Sequence, residues 1–225
     1  MKFLPNLTRS EMKYGLLTMI ICMLLLPPVL SFALADKSAG FVNFTAYFIT
    51  VGAGVYVLRR YLLHNLKIAI SHPFYCVYYA LLSYLGYMAL NELVTVLIYT
   101  IAPGFVNLNN LNVSALLDEE FALMAITTVI LAPIAEECLF RGLLFRGVYD
   151  RSPVLAWVLS VGLFAALHVT GFIGTYSPLS LLLAFIQYLP AGIVLCFAYA
   201  RSGSIFSPIL THAIVNLMAV LSVTR

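Results

Sequence analysis

Runs of about twenty apolar residues, broken by short polar stretches, constrain this chain more than anything else in it. Tyr14 to Ala35, Phe41 to Leu58 and Phe74 to Ala102 are the first three, and four more begin near Phe121, Pro153, Leu179 and Ile205. An α-helix needs about 20 mostly apolar residues to cross the hydrocarbon of a bilayer, so each run is a candidate span. Composition agrees: 63% of the residues are hydrophobic and 9% charged, where an ordinary soluble domain has about 25% charged. A chain of 225 residues suits roughly six to eight such spans and leaves no room for a second domain. The expected fold is all-α, a polytopic transmembrane helical bundle of about seven spans, forming one integral membrane domain over residues 1–225.

Charge placement orients the bundle. Lys2, Arg9 and Lys13 precede the first run, and Arg59, Arg60, His64, Lys67 and His72 follow the second. Lys and Arg gather on the cytoplasmic side of membrane proteins, which puts the N-terminus inside. Met1 to Lys13 resembles the start of a signal peptide, but the apolar run after it is too long for one and is better read as a first span. The segment Pro103 to Glu120 has no Lys or Arg and ends in Asp118, Glu119 and Glu120, as an outer loop would. Prolines at 27, 28 and 190 are expected to kink their helices, because proline removes a backbone donor. The net charge of +3 is small and dispersed between spans, so no nucleic-acid partner is expected. Cys22, Cys76, Cys138 and Cys196 lie in apolar runs without CxxC spacing and read as free buried thiols.

One span breaks the apolar rule. The stretch LAPIAEECLFRGLLFRG, Leu131 to Gly147, sets Glu136, Glu137 and Arg141 within hydrocarbon, at about 2.5 to 3.5 kcal/mol per charge on insertion scales. Glu137 and Arg141 are i,i+4 neighbours and can pair, while Glu136 projects about 100° away and is left available. A structural ion pair would explain this stretch taken alone. Further polar residues recur on later spans: His168 with Phe164 one turn before it, Gln187, and the i,i+4 pair His212 and Asn216. Together they offer the chemistry of hydrolysis. A glutamate beside a histidine can activate water as general base, and His or Asn can donate to a developing oxyanion. No GxSxG elbow is present, and Cys138 lies on a different helical face from Glu136, so a serine or cysteine nucleophile is not expected.

The ordered motifs resemble those of the CPBP intramembrane proteases, the group of type II CAAX prenyl endopeptidases and bacteriocin-processing or self-immunity (Abi) proteins. Glu136, Glu137, Arg141 and Gly142 fit EExxxR, Phe164 and His168 fit FxxxH, and His212 and Asn216 fit HxxxN within GSIFSPILTHAIVN. The resemblance covers residues 121–217, the catalytic CPBP-like core, and leaves Met1 to Glu120 without a signature. It implies a helical bundle with a cavity open to one membrane face and a peptidase site at its base. By position, Glu136 is the base, His168 its partner at the water, His212 and Asn216 the oxyanion donors, and Glu137 with Arg141 the support.

The resemblance leaves metal open. Zinc would use Glu136, His168 and His212, a known type of ligand set; the chain lacks HExxH, and a metal-free, glutamate-activated water needs no unseen ligand and is preferred. Depth is a difficulty, since a short fourth span would hold Glu136 and His168 too far apart to meet. Either that span runs on to about Tyr149, with Arg141 and Arg146 in the cavity, or the fifth starts later and tilts. The function expected is that of an intramembrane endopeptidase in a bacterial cell membrane. Its partners would be the lipid bilayer and a membrane-associated peptide such as a leader or bacteriocin precursor, in preference to a prenylated CAAX protein. Glu92 and Gln187 are candidates for shaping substrate choice. The alternative is a noncatalytic membrane partner of a sensor kinase, transporter or bacteriocin receptor. A proton-coupled transporter fits less well, for the sequence has no internal duplication.

Overall fold

The computed structural model describes residues 7–223 of the chain. Lys2, one of the N-terminal positive residues, lies outside the described residues. Nine helices follow one another in this part of the chain: α1 Arg9–Ala33, α2 Ala39–Val57, α3 Arg59–Ser71, α4 Pro73–Ile101, α5 Leu108–Glu119, α6 Phe121–Tyr149, α7 Pro153–Thr170, α8 Pro178–Ser202 and α9 Phe206–Val223. Six of them, α1, α2, α4, α6, α7 and α8, are long and apolar enough to cross a membrane, and Phe206–Ser222 is a shorter apolar helix among the described residues. Short connections between these helices make successive spans antiparallel.

Two segments expected to be loops are helices. The basic stretch after the second span is α3, and the outer segment contains α5. Neither is long enough to span, but a helix needs only a cap and a buried face. The Asn107 side chain accepts from Asn110 N at 3.1 Å to start α5. In α3, Tyr61 and Asn65 turn inward while Arg59, Arg60 and Lys67 stay exposed. Asn65 Oδ1 accepts from Ile205 N at 2.9 Å, and its backbone carbonyl accepts from Ser204 Oγ at 3.0 Å. These bonds hold the turn between α8 and α9, where Gly203 takes a left-handed φ of 72° that a side chain would strain. At the start of α1, Thr8 and Glu11 form a capping box, and the remaining Glu11 oxygen accepts from Tyr61 N at 3.2 Å.

Proline acts in a way that the expected kinks only partly describe. Ile21–Leu25 in α1 and Thr127–Leu131 in α6 are π-helical turns, each closing two residues before a proline. In the first, Leu26 N bonds Ile21 O; in the second, Ala132 N bonds Thr127 O. The next carbonyls, of Cys22 and Thr128, would need N–H groups at positions 27 and 133, where proline has none. A neighbouring helix supplies a donor to each. Thr50 Oγ1 of α2 reaches Cys22 O at 3.4 Å, and Asn216 Nδ2 of α9 reaches Thr128 O at 2.7 Å. A third π turn, Cys138–Phe145, gives its Phe140 carbonyl to Ser160 Oγ of α7 at 2.9 Å. In α8 the helix continues through Pro190 without a break.

α7 and α8 meet at Gly192, where an added Cβ would stand 2.9 Å from Val161 Cγ1 and 3.2 Å from Val161 Cα. The backbone atom cannot rotate away. Gly192→Ala is therefore expected to destabilise the bundle by about 1 to 3 kcal/mol, the usual cost of overpacking; thermal unfolding in detergent checks this against an Ala substitution at the open Gly162.

Candidate active site

The 29 residues of α6 carry the acids to mid-bundle. Extension of this helix to Tyr149 resolves the depth difficulty in the first of the two ways expected. At 1.5 Å per residue Glu136 lies roughly 20 Å from either end, level with the inner turns of α7 and α9. Pro133 sits in the first turn of the α-helical segment Ala132–Glu137, between two π turns, and such turns re-aim side chains where they interrupt a helix.

Glu137 is the most enclosed carboxylate, with no exposed surface, and Arg141 is equally buried. Glu137 Oε1 accepts from Arg141 Nη1 at 3.0 Å and lies 2.9 Å from His212 Nδ1. Arg141 Nη2 also donates to Gly192 O at 3.1 Å, and the guanidinium lies over the Phe164 ring at 4.6 Å. Arg141 thus joins α6, α7 and α8 while α9 comes in through His212. Arg141 and Arg146 do not enter the cavity, contrary to expectation. Arg146 instead pairs with Asp150 at 2.9 Å, on the far side of Glu137.

Glu136 is held differently. Its Oε1 accepts from Tyr47 Oη of α2 at 3.1 Å, and its Oε2 stands 3.8 Å from His168 Nε2. That gap is too wide for a direct hydrogen bond and suits one bridging atom. His168 Nδ1 lies 2.9 Å from the Phe164 carbonyl, so the proton belongs on Nδ1 and the Nε2 lone pair faces the carboxylate. Phe164 packs against both histidines, with ring centroids 4.7 Å from His168 and 5.8 Å from His212. Tyr188 of α8 stacks on the opposite face of the site, 4.3 Å from His168.

Glu136, His168, His212 and Asn216 all border one cavity of about 400 Å³. The expected convergence of three helices on one spot is what the structure has. Asn216 differs in one respect from a free oxyanion donor, since one of its N–H groups holds Thr128 O. Gln187 borders the cavity and accepts from Asn107 Nδ2 at 2.8 Å, whereas Glu92 is exposed on α4 and is not part of the lining. Cys138 is buried in the core behind the acids and does not border the cavity either. Among the described residues no three His, Cys, Asp or Glu side chains are grouped closely enough to hold a metal ion. In both histidines it is Nδ1 that is engaged, by the Phe164 carbonyl in His168 and by Glu137 in His212, so each ring presents Nε2 toward the Glu136 side of the site.

Residues 118–218 match the protein family described as type II CAAX prenyl endopeptidase Rce1-like. Over that segment, less than half of the chain, the sequence is similar to this family. The segment contains each of the motif residues from Glu136 to Asn216, in agreement with the CPBP resemblance of the sequence. The chain is 38% identical over 89 residues to UPF0177 protein YbdJ of Lactococcus lactis subsp. lactis (strain IL1403), an overlap of 40% of this chain and 34% of the relative. It is 29% identical over 113 residues to "Putative membrane peptidase YdiL" of Bacillus subtilis (strain 168), covering 49% of this chain and 42% of that protein. The matches therefore span between a third and a half of the relatives' own length. No solved structure matches the chain.

Tyr47 lies outside the Rce1-like segment and was not singled out in the sequence, where it is one of 14 tyrosines. The carboxamides of Asn107, Asn109 and Asn110 were likewise read as outer loop. They surround the Tyr188 hydroxyl, which accepts from Asn109 Nδ2 at 3.0 Å and lies 3.3 and 3.2 Å from Asn107 Oδ1 and Asn110 Oδ1. The density of Asn in NLNNLN was the signal available.

Arg141→Met leaves Glu137 buried beside a single partner. A loss of about 3 to 5 kcal/mol is expected, and the double variant Glu137→Gln with Arg141→Met should lose clearly less, because no uncompensated charge remains. Denaturant unfolding of the three proteins in the same detergent checks both.

Proposed function

We propose that this protein is an intramembrane endopeptidase whose Glu136 activates a water molecule to hydrolyse a peptide bond of a membrane-associated peptide. The observation that carries this is the 3.8 Å separation of Glu136 Oε2 from the His168 Nε2 lone pair at the inner end of a mid-bundle cavity. A water there donates one hydrogen to each and presents an oxygen lone pair to a carbonyl carbon above it. As the C–O bond forms, Glu136 takes the proton, and it returns that proton to the departing amine as the C–N bond breaks.

The negative charge that develops on the carbonyl oxygen needs donors. Asn216 offers its second N–H, and His212, whose Nδ1–H goes to Glu137, donates from Nε2 when the ring carries both protons. The Glu137–Arg141 pair holds His212 and stays out of the reaction. Tyr47 donates to Glu136 Oε1 and leaves Oε2 as the basic oxygen. The similarity of residues 118–218 to the Rce1-like family and the name of the Bacillus subtilis relative support peptidase chemistry. A leader peptide or bacteriocin precursor is the proposed kind of substrate.

The test compares peptide termini in membranes of cells expressing the wild-type chain or Glu136→Gln at equal levels. Termini found only with the wild type are expected; identical termini, with any phenotype kept by Glu136→Gln, would replace the enzyme with a noncatalytic membrane partner. With such a terminus as the readout, His168→Ala should slow its formation by about 10² to 10⁴ fold, the range for a general acid–base group. Tyr47→Phe removes one hydrogen bond to a charged group, about 1.5 to 3 kcal/mol, and should slow it roughly ten- to a hundredfold.

A further inference from the structure

The cavity occupies one half of the bundle. Its lining comes from the start of α2 (Asn43, Tyr47), the far half of α4 (Tyr87, Asn91), α5, the first half of α6 down to Glu136, the end of α7, α8 from Gln187 to Leu195 and the later turns of α9. The α8 residues reach mid-bundle, and the rest lie toward the end of the molecule where Ala39, Ile101, Phe121, Thr170 and Pro178 meet. The same end is closed over by α5, and its mouth is marked by Asn110 and Ser222, both exposed cavity-lining residues.

Charge divides the two ends sharply. At the end opposite the cavity stand Arg9, Lys13, Arg59, Arg60, Lys67, Arg146, Arg151 and Arg201; at the cavity end, among the described residues, Lys37 stands alone, 2.8 Å from Asp36. The acids Asp118, Glu119 and Glu120 are also at the cavity end. Lys and Arg within about 15 to 20 residues of span ends mark the cytoplasmic side. The cavity therefore opens away from the cytoplasm.

Its lining adds a chemical preference. Asn43, Asn91, Asn107, Asn109, Asn110 and Gln187 all border it, and no Lys, Arg or Asp does; Glu136 is the one ionisable acid. A carboxamide both donates and accepts, as a peptide group does, so such a wall pairs with an extended main chain whatever its side chains. Apart from Glu136 at its base, it offers no carboxylate to a substrate ammonium, and it offers no Lys or Arg to a substrate carboxylate.

We propose that the site is loaded from the extracytoplasmic face with an extended, uncharged segment of an exported peptide. The substrate part of this rests on the peptidase function of Glu136; the direction of loading does not. A membrane-translocation step must then supply the substrate, and a group added to a protein that stays in the cytoplasm never reaches Glu136.

The test is cysteine labelling of the full chain in intact cells with a membrane-impermeant maleimide. Asn110→Cys and Ser222→Cys should label before permeabilisation, and Lys67→Cys, exposed on α3, only after it. Wild type sets the background, since three of its four thiols are buried and Cys22 is half-buried. At least tenfold more label on the two mouth variants than on Lys67→Cys in intact cells supports the proposal, and the reverse pattern overturns it. Should both mouth variants fail to fold, labelling of Lys67→Cys in intact cells is enough to overturn it and its protection supports it. The result is independent of Glu136, so it separates from the terminus comparison. Wild-type-specific termini from cytoplasmic segments would overturn the direction of loading and leave the peptidase standing.

Discussion

One carboxylate oxygen, Glu137 Oε1, fixes the geometry on which the rest of the site depends. It accepts from Arg141 on its own helix and meets His212 on α9, and Arg141 in turn reaches the Gly192 carbonyl of α8. A lone charge in this setting would be costly, and two opposite charges with further polar partners compensate each other. The cluster thus permits ionised groups in the middle of the bundle and fixes where four helices stand. Glu136, one residue earlier, is oriented by that rigid frame. Only its Tyr47 bond and the gap to His168 are its own.

The two glutamates illustrate how adjacent identical residues acquire different tasks. Glu137 faces the packed side of α6, where Arg141 and His212 occupy it. Glu136 faces the cavity, where a phenol takes one oxygen and the other, buried beside His168, has no hydrogen-bond partner among the described residues. The separation follows from the helical turn between consecutive residues. Phe164 maintains the division across the site: its ring lies under the guanidinium, its edge meets His212, and its carbonyl sets the tautomer of His168.

Much of this was legible in the sequence, for reasons particular to each element. The spans announce themselves because twenty apolar residues have few other uses. Glu136, Glu137, Arg141, His168, His212 and Asn216 stand out because each is polar where the solvent is hydrocarbon. The same contrast hides Tyr47, whose aromatic ring belongs in a membrane span and whose hydroxyl matters only once α2 is placed beside α6. α3 and α5 read as loops because neither holds a span-length apolar run; α5 depends on its Asn107 cap and α3 on contacts such as Asn65 with Ile205. Arg146 was expected in the cavity from its position alone; its i,i+4 partner Asp150 draws it away.

The proline-linked π turn of α6 bears on how the chain is made. Thr128 O depends on Asn216, 88 residues later, and Glu137 on His212, 75 residues later. At about 5 to 20 residues per second of synthesis, α6 exists for several seconds before either partner has been polymerised. Throughout that interval it carries two acids, an arginine and a bare carbonyl that lipid cannot satisfy. Until α9 is made, only the Glu137–Arg141 pair within α6 compensates these groups, so the helix is better accommodated in the finished bundle than alone in lipid.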